Sequence, residues 1–407
     1  MDQEYRFFVG IDWGTQTHRI VLLDGEGRAI EQYDAAHTGD GLQDLVNRLV
    51  RSTACEPEMV AIAIETSWGA LVETLLDRGF AVFSINPKQV DRFRDRFTVA
   101  GAKDDTRDAL VLASSLRTDR RSFRLVEIDS PEIIRLRELS RFEEELKAEL
   151  RRTTNRLWQQ LHRYYPQALM LSPAADELFI WDLLRNAPNP AAGSKLSLAR
   201  IRRLLSSHRI SRFTAEEVQN TLRTPALKLA EGAAEAASEH VLLLLPQVAL
   251  LDQQLRDVGR RIKQLLKTLE EAGDSDVPII QSVPGIGPGI TAILLSEASR
   301  PIRDRDYYSF RCLAGTAPVT VQSAKRRMVS MRQACSGRLR QAMHHWATRS
   351  IICDETSRKH YDRLRTAGHQ HARALRGLAD KLLRMLISML KNQMVFDLQR
   401  RQKASVP

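Results

Sequence analysis

Three carboxylates, Asp104, Asp105 and Asp108, fall within five residues at the head of the apolar run Leu110-Val111-Leu112-Ala113. Residues three apart share a helix face, so Asp105 and Asp108 are predicted to project together from a first turn. Acidic residues at such a place often only cap a helix or complement its dipole. Two like charges on one face repel, however, unless something positive lies between them, and oxygen ligands of this kind suit Mg²⁺ or Mn²⁺. Two more carboxylates stand where apolar strands are predicted to stop. Asp12 follows Phe7-Phe8-Val9-Gly10-Ile11, and Glu65 follows Met59-Val60-Ala61-Ile62-Ala63-Ile64. Strand ends aim side chains into a crevice, although an Asp there is also an ordinary turn former. Three separate placements of one chemistry weaken the reading of each as a mere cap or turn and favour a divalent-metal site.

A different kind of chemistry lies far downstream. The stretch Ile279 to Ile290 carries Gly285, Gly287 and Gly289 ahead of an apolar helical run, Thr291 to Ala298. This is the pattern of a helix-hairpin-helix, in which glycine lets the backbone approach a phosphate and the next helix offers unpaired N–H groups. No strand-first unit surrounds the glycines, and no Gly-Lys-Ser/Thr ending follows, so neither a dinucleotide nor ATP is expected. Ser323 then sits just before Lys325, Arg326 and Arg327, with Arg332, Arg338 and Arg340 following. A lone serine among cations commonly donates a hydrogen bond to phosphate. As a nucleophile it needs a base, a metal or clustered cations to support the alkoxide. Ser330 and Ser336 are weaker candidates, and His344/His345 and His369/His371 lack the spacing of a helical metal pair.

The elements that must position these groups read as follows. Strands are predicted at about 7–11, 19–23, 29–35, 59–64 and 81–85, with helices at 40–51 and 69–78 and another opening at Asn86-Pro87. Three meandering strands followed by alternating helices and strands define an α/β domain over residues 1–125. Ser130-Pro131-Glu132 starts a helix predicted to run to Tyr165 and stop at Pro166. A second long helical pattern spans about Leu227 to Ala272, with a possible break at Pro246. In it Leu251, Leu255, Val258, Ile262, Leu265 and Leu269 repeat like a coiled-coil seam, which serves either packing within the chain or self-association. Residues 126–272 thus form a helical, coiled-coil linker and oligomerisation region. Residues 273–407 form a mostly helical basic domain, with helices predicted from Arg338 and over about 368–393. The fold class is therefore α/β plus all-α.

Charge separates these regions. The net formal charge is +11, yet residues 273–407 hold 23 Lys/Arg against 10 Asp/Glu, and the rest of the chain 38 against 40. All the excess positive charge lies in the last third, which favours a polyanion such as nucleic acid over a membrane surface. The N-terminus lacks a signal-peptide pattern and no apolar run approaches a membrane span, so a cytoplasmic protein with no membrane partner is expected. Cys55, Cys312, Cys335 and Cys353 are scattered without CxxC spacing and are expected to be reduced.

The order strand-Asp12, strand-Glu65, then Lys103-x-Asp105-x-x-Asp108, resembles the RuvC-like (ribonuclease H fold) domain of DEDD-type insertion-sequence transposases, the group that includes the Piv/MooV invertases. In that family a Gly-x-x-Pro stretch leads to a serine. Gly315 to Pro318 and Ser323 match it, and Ala324 stands where the family usually has glycine. The resemblance implies two Mg²⁺ ions on Asp12, Glu65, Asp105 and Asp108, and a transient phosphoserine link from Ser323 to DNA. It further implies an element-encoded bridge RNA that pairs with target and donor double-stranded DNA. The implied assembly is a tetramer of two dimers, in bacterial cytoplasm, with composite sites. A Mg²⁺-dependent, structure-selective nuclease of the Holliday-junction resolvase kind, with water as nucleophile, is the alternative.

Overall fold

The computed structural model describes residues 4–85, 87–94, 104–323 and 326–403. It consists of two compact units, residues 1–129 and 130–407.

The first unit is built on a six-stranded mixed sheet. Strands β1 (Phe7–Asp12), β2 (Thr17–Leu23) and β3 (Ala29–Ala36) form an antiparallel meander. After helix α1 (Gly39–Thr53), β4 (Val60–Ile64) pairs in parallel with β1. Helix α2 (Ala70–Asp77) leads to β5 (Ala81–Ser84), parallel to β4. Helices α3 (Pro87–Arg94) and α4 (Asp105–Asp119) then precede β6 (Arg124–Leu125), which closes the order β3-β2-β1-β4-β5-β6. β4 is apolar throughout because both its faces are covered, as parallel central strands require. Leu42, Leu45 and Leu49 of α1 pack with Leu71, Val72 and Leu75 of α2 on one face. On the other face Ala109, Leu112, Ala113 and Leu116 of α4 lie against Val21, Ala61 and Ala63.

Gly10 explains how α4 comes so close. A Cβ at Gly10 would stand 1.8 Å from the Ala109 carbonyl oxygen and 2.6 Å from the Ala113 nitrogen. Strand and helix backbones therefore touch at this point, two residues before Asp12. The first turn of α4 is held beside the strand end by a missing side chain.

The second unit is helical apart from one hairpin. α5 (Pro131–Tyr164) starts as its sequence requires, with the Ser130 side chain accepting from the Ile133 N–H and proline in the first turn. It packs along α11 (Ala233–Glu271). Between them come α6 (Pro166–Leu171), α7 (Leu178–Asn186), α8 (Pro190–Ser194), α9 (Leu198–Ser207) and α10 (Ala215–Leu222). These short helices share a core with Leu157 and Leu161 of α5 and Val241, Leu244, Leu245 and Val248 of α11. At the other end of the pair, Leu136 and Leu146 meet Val258, Ile262, Leu265 and Leu269 in a second core. α12 (Asp276–Gln281), α13 (Pro288–Glu297), α14 (Ser299–Arg303) and α15 (Tyr307–Leu313) build onto it, as do α16 (Gly337–Cys353) and α18 (His371–Lys391). Strands β7 (Pro318–Ser323) and β8 (Arg326–Met331) form the hairpin, and α17 (Glu355–Thr366) and α19 (Leu398–Lys403) complete the unit.

One expectation changes here. The α11 helix passes through Pro246 without a break, because packing of Leu244, Leu245 and Val248 on both sides holds the helix that proline weakens. Of the seam, Val258, Ile262, Leu265 and Leu269 are buried in the chain's own second core, and Leu251 and Leu255 pack against it partly buried. By length and composition α11 could cross a membrane, and 33% of its apolar stretch is buried inside this chain. The four cysteines are free.

Candidate active site and nucleic-acid contacts

The parallel register of β1 and β4 runs Gly10↔Ala63, Ile11↔Ile64. Asp12, the last residue of β1, and Glu65, the first after β4, therefore leave the sheet at the same level on neighbouring strands. Across the meander Asp12 lies opposite Arg19 of β2. The turn after Asp12 is pinned by His18, which is fully buried: its Nδ1 accepts from the Gly14 N–H at 3.3 Å, and its Nε2 meets His37 Nδ1 at 2.9 Å. Burial, and secondarily His37, pushes the His18 pKa below the usual 6.5. A neutral ring is what the accepting Nδ1 requires.

On α4, Asp104 is the N-cap and accepts from the Thr106 N–H, so it is a capping residue next to the motif. Asp105 is exposed and Asp108 is buried. Asp108 is not left uncompensated: Arg94 Nε donates to its Oδ1 at 2.7 Å, and the same guanidinium reaches Asp91 at 2.6 Å. A buried carboxylate needs such a partner.

The donor set suits a hard divalent ion, since all four candidates are carboxylates on the strand ends and on the helix that crosses beside them. In this arrangement Arg94 supplies the positive charge at Asp108. Among the described residues no three His, Cys, Asp or Glu side chains are gathered closely enough to hold an ion.

In the second unit Ser323 is the last residue of β7 and is exposed, opposite Arg326 across the hairpin. Ala324 and Lys325 lie outside the described residues, and Arg326 and Arg327 belong to β8 by their backbone. The hairpin packs no apolar face: Val321, Met328 and Val329 are each about half exposed. The three glycines differ from one another. Gly285 (φ +89°) turns inward, where a Cβ would lie 3.0 Å from Ser350 Oγ and 3.3 Å from Trp346 Cδ1. The Trp346 indole and the Ser350 hydroxyl both donate to the neighbouring Pro284 carbonyl, which fixes this loop to α16. Gly287, the N-cap of α13, is open, and a Cβ on Gly289 would lie 3.2 Å from Glu143 Oε2.

Two arginines expected to touch nucleic acid also make contacts within the chain. Arg338 pairs with Glu144 at 2.6 Å and with Glu297, and donates to Ser140 Oγ. It ties α16 to α5 and α13. Arg340 donates to the carbonyls of Arg332 and Gln333 and shapes the turn before α16. Arg332 is half-buried beside it. The residues missed from sequence, Arg94, His18 and His37, act through pairings made in the fold. Their signal was weak: a charged residue in α3, and a histidine between Thr17 and Arg19 at the polar start of β2.

A carboxylate-tipped α/β sheet joined to a basic helical unit defines a class of enzyme that acts on nucleic acid phosphates, and comparison with known proteins narrows it. Residues 9–166 match the DEDD family model of IS110, described as "Transposase", and residues 277–362 match "Transposase IS116/IS110/IS902 family". The protein named as mini-circle transposase for IS117 in Streptomyces coelicolor is 30% identical over 401 residues, 97% of this chain and 96% of that protein. The protein named as transposase y4uE in Sinorhizobium fredii is 46% identical over 216 residues, 53% of this chain and 60% of that protein. An insertion element IS110 protein of Streptomyces coelicolor is 25% identical over 392 residues. The chain belongs to the IS110/IS116 family of insertion-sequence transposases, which catalyse DNA strand transfer.

Two histidines, His18 in the first unit and half-buried His360 in the second, carry a pH prediction. Burial and nearby cations (Lys381, Arg363 and Arg401) push the pKa of His360 from 6.5 down to about 4, and His18 is shifted the same way. Below pH 6.5 the unfolded chain takes up protons that the folded one refuses. Stability is therefore fully present above about pH 6.5 and falls as the pH drops toward 4. Thermal melting across that window checks it. His360→Asn should flatten part of the dependence, and an unchanged slope in that variant rules His360 out as a source.

Proposed function

We propose that the chain is a site-specific recombinase that moves its own insertion sequence, cutting and rejoining DNA through an ester between Ser323 and a strand end. The level exit of Asp12 and Glu65 from parallel β1 and β4, beside the α4 turn that bears Asp105 and Asp108, is the observation that carries the reading. The strand order and the helix crossing at Gly10 support a ribonuclease H, RuvC-like fold for this unit. Asp12, Glu65, Asp105 and Asp108 would hold two Mg²⁺ ions, with Mn²⁺ as a substitute. When bound, the ions stabilise charge on the attacking and leaving oxygens of an in-line displacement.

The protein's own residues do the positioning. Ser323 Oγ, at the end of an exposed strand flanked by cationic sequence, attacks a DNA phosphorus and releases one strand end as a hydroxyl. A second hydroxyl then attacks the ester, restoring the serine and rejoining DNA with no net loss of phosphodiester bonds. The basic last third would bind duplex DNA, with contacts from Gly287, Lys325, Arg326 and Arg327. A structured guide RNA, encoded by the element, would supply target choice by base pairing. Self-association into a tetramer is supported by Leu243 and Leu250, one heptad apart on α11 and 68% and 58% exposed. In this division of labour residues 126–272 set the spacing between copies, and the action takes place at bacterial DNA in the cytoplasm.

The test is a denaturation-resistant, protease-sensitive protein–DNA adduct, formed with Mg²⁺, host RNA and DNA bearing the element ends. The wild-type chain should form it and Ser323→Ala should not. Cleavage that persists in Ser323→Ala, with no adduct in either protein, would make water the nucleophile and the enzyme resolvase-like.

A further inference from the structure

Between α18, the end of α17 nearest it and the segment leading into α19 lies a cavity of about 410 Å³, within the range of sites that hold small organic ligands. Its floor is apolar, formed by Met385, Met389 and Phe396, and Lys381 and Arg384 line it from the exposed side of α18. The wall is built, not loose. Arg401 pairs with buried Asp354 at 2.6 Å and donates to Ser357 Oγ at 2.8 Å, and the Phe396 N–H donates to Ser282 Oγ at 2.8 Å.

Two of the nearby acids are committed elsewhere, and the third, Asp397, lines the cavity. Asp354 serves Arg401, Asp380 is held by Arg311 and Tyr307, and Asp397 accepts from the Gln399 N–H. Lys381 and Arg384 both line the hollow, and Arg384 also donates to the Tyr307 hydroxyl at 3.3 Å. Burial, together with Arg363 and Arg401, pushes the Lys381 pKa down, so an anion at the rim would relieve charge repulsion. An apolar floor beneath a cationic rim fits a ligand with a flat, weakly polar body and one negative group. The polyanion met by a DNA-acting enzyme offers that combination only where a base is unstacked, because paired bases present edges and not faces.

We propose that this cavity takes one unstacked nucleotide of a single-stranded polynucleotide, with the base against Met385, Met389 and Phe396 and its phosphodiester at Lys381 and Arg384. The proposal rests on the family assignment and not on the roles given above to Ser323 or the carboxylates. Its test measures binding of the full-length protein to fluorescent oligothymidylate and oligouridylate of about twelve nucleotides, and to a duplex of equal length. Ser388→Trp, at an exposed helix position lining the cavity, fills the hollow and leaves every charge in place. It should weaken single-strand binding roughly tenfold and leave duplex binding within about twofold. Lys381→Gln with Arg384→Gln should do the same. Loss on the thymidylate names DNA as the source, and loss on the uridylate names RNA. Unchanged single-strand affinity in Ser388→Trp, or equal losses on duplex and single strand, overturns the proposal. Should Ser388→Trp melt below the wild type, photocrosslinking of thio-substituted oligonucleotides to the wild-type chain decides the matter. Adducts within residues 385–397 support the cavity, and adducts only elsewhere refute it.

Discussion

Asp12→Asn is expected to abolish DNA strand cleavage and transfer, by about a thousandfold or more, while the protein remains folded. The substitution keeps the shape of the side chain and removes its charge. The strand that carries it is fixed by pairing on both sides, with Arg19 of β2 opposite and β4 in parallel register, so the neutral residue has no reason to move the backbone. Glu65→Gln should behave in the same way, because it leaves the sheet at the same level. The decisive comparison pairs strand-transfer assays with thermal melting and DNA binding. If Asp12→Asn binds DNA, melts like the wild type and does not cut, the carboxylate acts in the chemistry. If it cuts normally, the strand ends are structural and the proposed site lies elsewhere.

Gly10→Ala tests how that site is held, and here the expected damage is to the fold. One methyl group would have to occupy space 1.8 Å from the Ala109 carbonyl oxygen. Backbone on both sides means that no side-chain rotation can relieve it. Either α4 moves away from β1, opening the core formed by Ala109, Leu112 and Ala113, or the N-terminal unit fails to fold. Overpacking commonly costs about 1–3 kcal/mol, and a contact with a fixed helix backbone belongs at or above the top of that range. Limited proteolysis should show residues 1–129 becoming sensitive while the helical unit stays resistant. Normal melting and full strand transfer in Gly10→Ala would show that the close crossing is not needed.

Much of this arrangement was legible from residue order. The apolar runs of β1 and β4 stop at Asp12 and Glu65 because a central strand ends where its side chains stop being buried. Ser130-Pro131 and the Asp104 cap mark helix starts with chemistry that acts within a single turn. The placement of Asp12, Glu65, Asp105 and Asp108 at element ends follows from those local facts, and grouping them as one site came from the family resemblance. Other features depend on contacts made at a distance. Arg94 reaches Asp108 only because α3 and α4 pack together, and α3 alone shows an ordinary cationic surface. The β7–β8 hairpin escaped notice because neither face is buried, so no apolar alternation marks it. The fate of Arg338 was equally hidden. In sequence it is one of many cations, and in the fold it is one of a few that meet two glutamates. Charge count located the basic region, but it could not separate cations that bind a polyanion from cations that hold helices together.

The α5–α11 pair has a mechanical consequence. Its members contain 34 and 39 residues, so each extends about 50–60 Å. Each is rooted at one end in the core of the short helices and at the other in the core that carries the hairpin. A link anchored at both ends cannot fold up to absorb a push; it passes the displacement on as a lever arm does. The distance between the short-helix core and the core that carries the hairpin is therefore set by helix length.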